Sequence, residues 1–237
     1  MDKTTKKIAL VYSGQPRNIK ECHDNHVSTF YTENKECEID VFAHFWYSDS
    51  LIGNYFWNSY PNRGYYEPDI KKTIVNLLKP VDALYEPPLE FITDIQPDKR
   101  FPHPVSNTLS MFYSIEKANN LKTAYELKHN FKYDCVVRLR TDEYFINPVG
   151  NLFDYDMSSI NLLNETPHMP YGVNDHFAFG RSDIMNKYSS VFSNLDTIVK
   201  DGCAINPECL LGYNLLLKKI PIIKHSNWTF KLFRDLY

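Results

Sequence analysis

The sequence predicts an α/β fold: a mainly parallel central sheet with helices on both faces. Three observations carry that expectation. Short apolar runs of strand length alternate with helical periods through the first half of the chain. The runs stop at polar, glycine- or arginine-bearing loops, as buried parallel strands do. The 237 residues, 43% hydrophobic and 23% charged, have the length and composition of one complete domain.

The elements follow in order. Ile8–Tyr12 reads as a buried first strand ending in the loop Ser13-Gly14-Gln15-Pro16. Residues 18–34 suit a helix, and Ile39–Trp46 a second strand. The stretch 47–70, rich in Tyr, Asn, Pro and Gly, reads as an irregular insertion. A short helix over 69–78 leads to a strand over 82–85, and Pro87, Pro88, Pro97, Pro102 and Pro104 mark a long loop. Phe112, Ile115, Ala118, Leu121 and Tyr125 form one apolar face of a helix over 107–129, with Ser106 or Asn107 as its cap. Tyr133–Arg140 reads as a central strand, and two more are expected over 160–163 and 176–179. A helix capped by Ser182 is expected to reach Val199 and stop at Gly202. Asn206 caps another, with Pro207 at its first position, that runs to about Lys218. Pro221–Lys224 reads as the last short strand.

Composition excludes several classes. The formal charge is −3 with no long basic run, which argues against nucleic-acid binding, and Lys3, Lys6 and Lys7 read as a solvated tail. Cys22, Cys37, Cys135, Cys203 and Cys209 are odd in number, lack CxxC spacing and suit free thiols in a reducing cytosol, so a cytoplasmic location is expected. No apolar stretch suits a signal peptide or a membrane span, and the sequons at Asn164 and Asn227 read as chance matches. The 15% aromatic content, with 17 Tyr and 15 Phe, suits sugar rings or nucleobases but equally an ordinary core. Nothing in the sequence fixes an oligomeric state.

P-loop, GxGxxG, GxSxG and HExxH patterns do not occur, which leaves polar clusters at strand ends. Ligands of such sheets bind beyond the carboxyl ends of the strands, so loops 13–17, 44–47 and 140–145 are expected to meet in one cleft near Ser13, Arg17, His44 and Asp142. Asp142, after Arg138-Leu-Arg140-Thr, has the chemistry to hold Mn²⁺ or Mg²⁺ through oxygen, or to form a strand-end salt bridge. Arg138 and Arg140 suit phosphate, or hold the carboxylate in place. Gly14 permits close backbone approach and Arg17 a bidentate phosphate contact, or the segment is a tight turn. Asn174 and Asp175, between Gly172 and Gly180, suit sugar hydroxyls or a turn. Glu208 lies in the first turn of a helix, where the macrodipole favours it anyway. His225 suits a metal or a structural position.

In this order the pieces resemble the plan of the GT-A glycosyltransferases, α/β proteins with a Rossmann-like sheet. Within them the chain is similar to a group with SGQPR-like starts and RLRTD-like centres. The resemblance spans nearly the whole chain as one domain, 1–237, with a nucleotide-sugar-binding half over 1–145 and an acceptor-binding half over 146–237. It implies transfer of a hexose or pentose from a UDP- or GDP-sugar to a hydroxyl of a glycan acceptor, assisted by Mn²⁺ or Mg²⁺. Asp142 and His225 match metal ligands. Ser13, Gly14, Arg17, His44, Arg138 and Arg140 fall in the donor site. Asp175 and Glu208 compete for the base of an inverting reaction, with Asp175 preferred; a retaining reaction does not need that base there. The centre reads Thr141-Asp142-Glu143 rather than Asp-x-Asp, which puts the metal in question. The literal Asp154-Tyr155-Asp156 follows a Pro/Gly loop and is a decoy. Two rivals stand beside this reading: a sugar-nucleotide nucleotidyltransferase, which usually carries a glycine-rich first loop where this chain has one Gly, and a non-catalytic carbohydrate-binding protein on the same fold.

Overall fold

A computed structural model describes residues 5–56, 64–93, 95–96, 104–164 and 171–233. Lys3, Pro97, Pro102 and the middle of the 47–70 insertion lie outside them.

The chain forms a mixed sheet of seven strands: β1 (Lys7–Gly14), β2 (Glu38–Trp46), β3 (Asp82–Glu86), β4 (Cys135–Leu139), β6 (Ile160–Leu163), β7 (Ala178–Gly180) and β8 (Ile222–His225). Their order is β3-β2-β1-β4-β7-β6-β8. Only β7 is antiparallel to both its neighbours; the other pairings are parallel. Strand order reverses at β1, since the chain passes to β2 on one side and later returns to β4 on the other. That is the switch point where an open α/β sheet splits to leave a crevice.

The apolar runs explain the strands. Ile8, Leu10 and Tyr12 face one core layer and Ala9 and Val11 the other, all buried. The second layer is covered by α3 (Val105–His129), which seats Leu109, Phe112, Ile115 and Ala118 against it, and by α4 (Ser182–Tyr188), α5 (Leu195–Lys200) and α6 (Pro207–Leu217). The first layer is closed by α1 (Ile19–His26) and α2 (Ile70–Leu78). The α/β expectation, with a mostly parallel sheet, therefore holds.

Several local expectations need correction. Lys7 opens β1 and pairs with Glu38, and Lys6 meets Asp134, so neither belongs to a solvated tail. Ser106 and Asn107 lie inside α3, whose first turn follows Pro104 with no side-chain cap. Arg181, not Ser182, precedes α4, because the buried Ser182 hydroxyl is taken by Lys122. The helix expected through Val199 breaks at Ser190, whose ψ of 23° is not helical. The Asn206 cap is as expected: its side chain accepts from Cys209 N at 3.2 Å, with Pro207 in the first turn.

The sequence reading missed a second sheet, in which β5 (Glu143–Asn147) pairs antiparallel with β9 (Thr229–Leu232). β8 is therefore not the last strand. Among the described residues, no helix is long and apolar enough to cross a membrane.

Candidate functional site at the switch point

The loops after β1 and β4 meet as expected. Thr141 Oγ1 donates to the Gln15 carbonyl at 3.2 Å, and Arg17 Nη1 stands 3.9 Å from Asp142 Oδ2. Arg17 and Asp142 are both buried.

Gly14 adopts φ +109°, a backbone state that favours glycine, and its N–H donates to Ser114 Oγ of α3 at 2.8 Å. Ser114 Oγ also lies 2.8 Å from His44 Nδ1, and His44 Nε2 lies 2.7 Å from Glu86 Oε2. The neutral ring fits this chain: Nε2–H donates to Glu86, and Nδ1 accepts from Ser114, whose oxygen accepts from Gly14. Burial lowers the His44 pKa against the opposing pull of Glu86. The strand-end position of His44 suggested a donor contact; in the structure both ring nitrogens are taken by Ser114 and Glu86. His44 lies wholly under α3 and holds the Gly14 turn through Ser114.

The centre of the site is ionic. Arg140 grips Asp142 with both prongs: Nε to Oδ1 at 2.9 Å and Nη2 to Oδ2 at 2.9 Å. Burial works against the Arg140 charge, but the Asp142 carboxylate outweighs it and holds its pKa above the ordinary value. Arg138 is buried, with Nη1 3.6 Å from Glu143 Oε1, and Glu143 Oε2 accepts from Arg140 N at 3.1 Å. Burial pushes the Glu143 carboxyl up to about 8, against the pull of Arg138 and Arg140. Arg17, Arg138 and Arg140 are thus gathered around Asp142 and Glu143, and burial biases the Glu143 carboxyl towards its neutral form, a balance that suits an anion.

Polar atoms converge here without partners. Among the described residues, Ser13 Oγ, Arg138 Nε, Tyr188 Oη and His176 Nδ1 are buried and make no hydrogen bond. Buried polar groups are nearly always satisfied, so a cluster of exceptions marks a place that a ligand or water completes.

Asp175 comes to this centre on the loop before β7. Asn174 Oδ1 accepts from His176 N at 3.1 Å, a self-closing turn, so that oxygen shapes the loop. Asp175 Oδ1 lies 3.6 Å from His176 Nε2, and burial lowers the His176 pKa to about 4 against the Asp175 charge. Val173 N donates to the Glu208 carbonyl at 3.3 Å, which places the loop against the first turn of α6. Gly212 permits this approach, because a Cβ there would lie 1.7 Å from the Tyr171 carbonyl oxygen. Gly180 serves strand packing rather than acceptor access, since its Cβ would meet Ser159 O at 2.8 Å.

His225 is not brought to Asp142. It lies on β8, three strands from β4, or ~14 Å by strand spacing. Its Nε2 meets Asn161 Oδ1 at 2.9 Å and its ring stacks on Trp228 at 4.1 Å. The expected Mn²⁺ or Mg²⁺ thus lacks its second ligand, and both oxygens of its first are held by Arg140. Among the described residues, no cluster of three His, Cys, Asp or Glu side chains is placed to hold a metal. The donor set does not fit the ion. The literal Asp154-Tyr155-Asp156 offers no substitute: Asp156 accepts from Ser158 N, Ser158 Oγ and Ser159 Oγ within its own turn.

Sequence reasoning missed Ser114, Glu143, His176 and Tyr188. A charged Glu opening the otherwise apolar run Glu143-Tyr-Phe-Ile was the one visible signal.

Fold and site together define an α/β protein with a buried, arginine-rich polar centre at the switch point of its sheet. The chain matches no protein-family model, and no curated protein matches it.

Proposed function

We propose that the protein is a glycosyltransferase of the GT-A kind, moving a sugar from a UDP- or GDP-sugar to a hydroxyl of a glycan acceptor. The observation that supports this best is the convergence of Arg17, Arg138, Arg140 and Ser13 at the switch point, with the Asp175 loop beside them. An anion-binding centre next to a separately mounted carboxylate suits a reaction that expels a diphosphate and deprotonates an alcohol.

In this reading the acceptor oxygen attacks the anomeric carbon as the bond from that carbon to the diphosphate oxygen breaks. The bonding electrons leave on the diphosphate, whose charge the guanidinium groups meet. The acceptor proton passes to Asp175. Glu208 supports the loop through its backbone and is second choice for the base.

Turnover of UDP- and GDP-sugars with a panel of glycans tests the reading. Nucleoside diphosphate should be released in step with glycoside formation; release of pyrophosphate instead would identify a nucleotidyltransferase. Asp175→Asn should lower turnover ~10²–10⁴-fold at unchanged donor affinity, the usual loss for a base, whereas Glu208→Gln should stay near normal. The reverse pattern would move the base to Glu208, and near-normal turnover in both would point to a retaining mechanism.

A further inference from the structure

We infer that this site neutralises the donor's diphosphate with arginine side chains and not with a divalent cation. The inference rests on the glycosyltransferase reading and deepens it.

Three observations carry it. The first is the state of Asp142. A carboxylate that holds Mn²⁺ or Mg²⁺ must offer an oxygen lone pair to the ion. Asp142 is 2% exposed and accepts from Arg140 at both oxygens, at 2.9 Å each, with Arg17 3.9 Å away. Seating an ion would place a divalent charge between two guanidinium groups and break a buried two-pronged pair.

The second is ligand supply. Asp142 forms ion pairs with Arg140 and Arg17, and the histidine that sequence order suggested is bound to Asn161 and stacked on Trp228 across the sheet.

The third is Arg138. It is 3% exposed, yet its Nε makes no hydrogen bond among the described residues, and Ser13 Oγ on the neighbouring strand is likewise without a partner. Arg138 and Ser13 lie on the same face of the sheet, at the carboxyl ends of β4 and β1. A planar guanidinium with an unused N–H beside an unused hydroxyl suits phosphate oxygens. The role of Asp142 is then to aim Arg140, and the turn held by Ser114 places Ser13.

Calorimetric titration of the protein with UDP and with GDP, first in EDTA and then with excess Mn²⁺ or Mg²⁺, tests this. At least one nucleotide should bind in EDTA, with a Kd that the metals change by less than about threefold. Arg138→Gln should weaken binding about tenfold or more, the scale of one lost hydrogen bond to a charged group. Should that variant not fold, as judged by circular dichroism, Arg138→Lys keeps the charge, loses the planar fork and should weaken binding in the same direction. Asp142→Asn should retain binding in EDTA, because it removes a negative charge and keeps an oxygen that accepts from Arg140. Binding that appears only with Mn²⁺ or Mg²⁺ and is lost in Asp142→Asn would overturn the inference and leave the glycosyltransferase reading standing. Failure of both nucleotides to bind in either condition would overturn both.

Discussion

Among the described residues two ionic clusters are buried, and they differ in how completely they are satisfied. At one, Lys122 of α3 donates to Glu126, Ser182 and Asn186 at 3.2, 2.7 and 2.7 Å. Glu126 accepts in turn from Tyr133 N and Lys132. Every ammonium hydrogen and both carboxylate oxygens are used, and only Asn119 Oδ1 at the margin has no partner among the described residues. At the other, around Arg138 and Glu143, several donors and acceptors have none. Both clusters carry a desolvation cost, but only the first recovers it within the protein. A complete cluster ties helices together; an incomplete one has polar atoms open to a ligand or water.

Substitution should separate the two. Lys122→Met leaves the Glu126 carboxylate with Lys132 and Tyr133 N as its partners and should cost about 3 kcal/mol in urea unfolding, the low end of the usual result of halving a buried pair. Arg138→Met leaves a carboxyl that burial already keeps largely neutral near pH 7, and should cost less than ~1.5 kcal/mol, close to an ordinary point change. Equal losses would erase the distinction.

His26 offers a third case, satisfied and uncharged. Its Nε2 donates to the Glu143 carbonyl at 2.6 Å and Nδ1 accepts from Tyr12 Oη at 3.1 Å. Burial lowers its pKa to about 4. The unfolded chain gains a proton near pH 6.5 and the folded chain only near 4, so stability falls as pH drops through that window and levels off below it. The loss should be at most roughly 3 kcal/mol. His26→Gln, which can keep a donor and an acceptor, should show a shallower slope and keep only the share of His176, whose pKa burial also lowers to about 4; parallel pH profiles for the two proteins would show that His26 contributes none of it.

A last stability effect sits on the arm that carries Asp175. Gly212→Ala forces a methyl onto the Tyr171 carbonyl and should cost about 1–3 kcal/mol. Because the displaced segment leads to Asp175, turnover should fall further than stability does. Normal turnover in this variant would show that the loop position is not critical.

The parallel core was legible because each strand carries its own signature. Ile8–Tyr12, Ile39–Trp46 and Tyr133–Arg140 are local apolar runs, and Asn206-Pro207 is a local cap. β5 and β9 were not legible: each is short and mixed in polarity, and each becomes a strand only by pairing with a partner far along the chain. The break at Ser190 was hidden for a related reason, since α3 and α6 pack against that segment and override its helical pattern. At the site, Arg17 and Asp142 were readable from strand ends, because loop position places them. Which way a side chain points beneath a covering helix was not, and so His44 was read as a ligand contact and Ser114 was not singled out. His225 was grouped with Asp142 because order along the chain says nothing about separation across a sheet.

The pairing of β5 with β9 also sets when the centre is finished. Phe233 N donates to the Asp142 carbonyl at 2.7 Å, and Glu143 lies opposite Leu232 in the ladder. On the ribosome, β1, β2, β3 and β4 emerge and can pair well before residues 229–233 exist. At ~5–20 residues per second, the wait between Asp142 and those residues is on the order of ten seconds. Throughout it, the nascent chain carries the arginines of the site without the strand that fixes the turn between them. The arginine-rich centre is therefore completed late in synthesis, with the stretch that closes the second sheet.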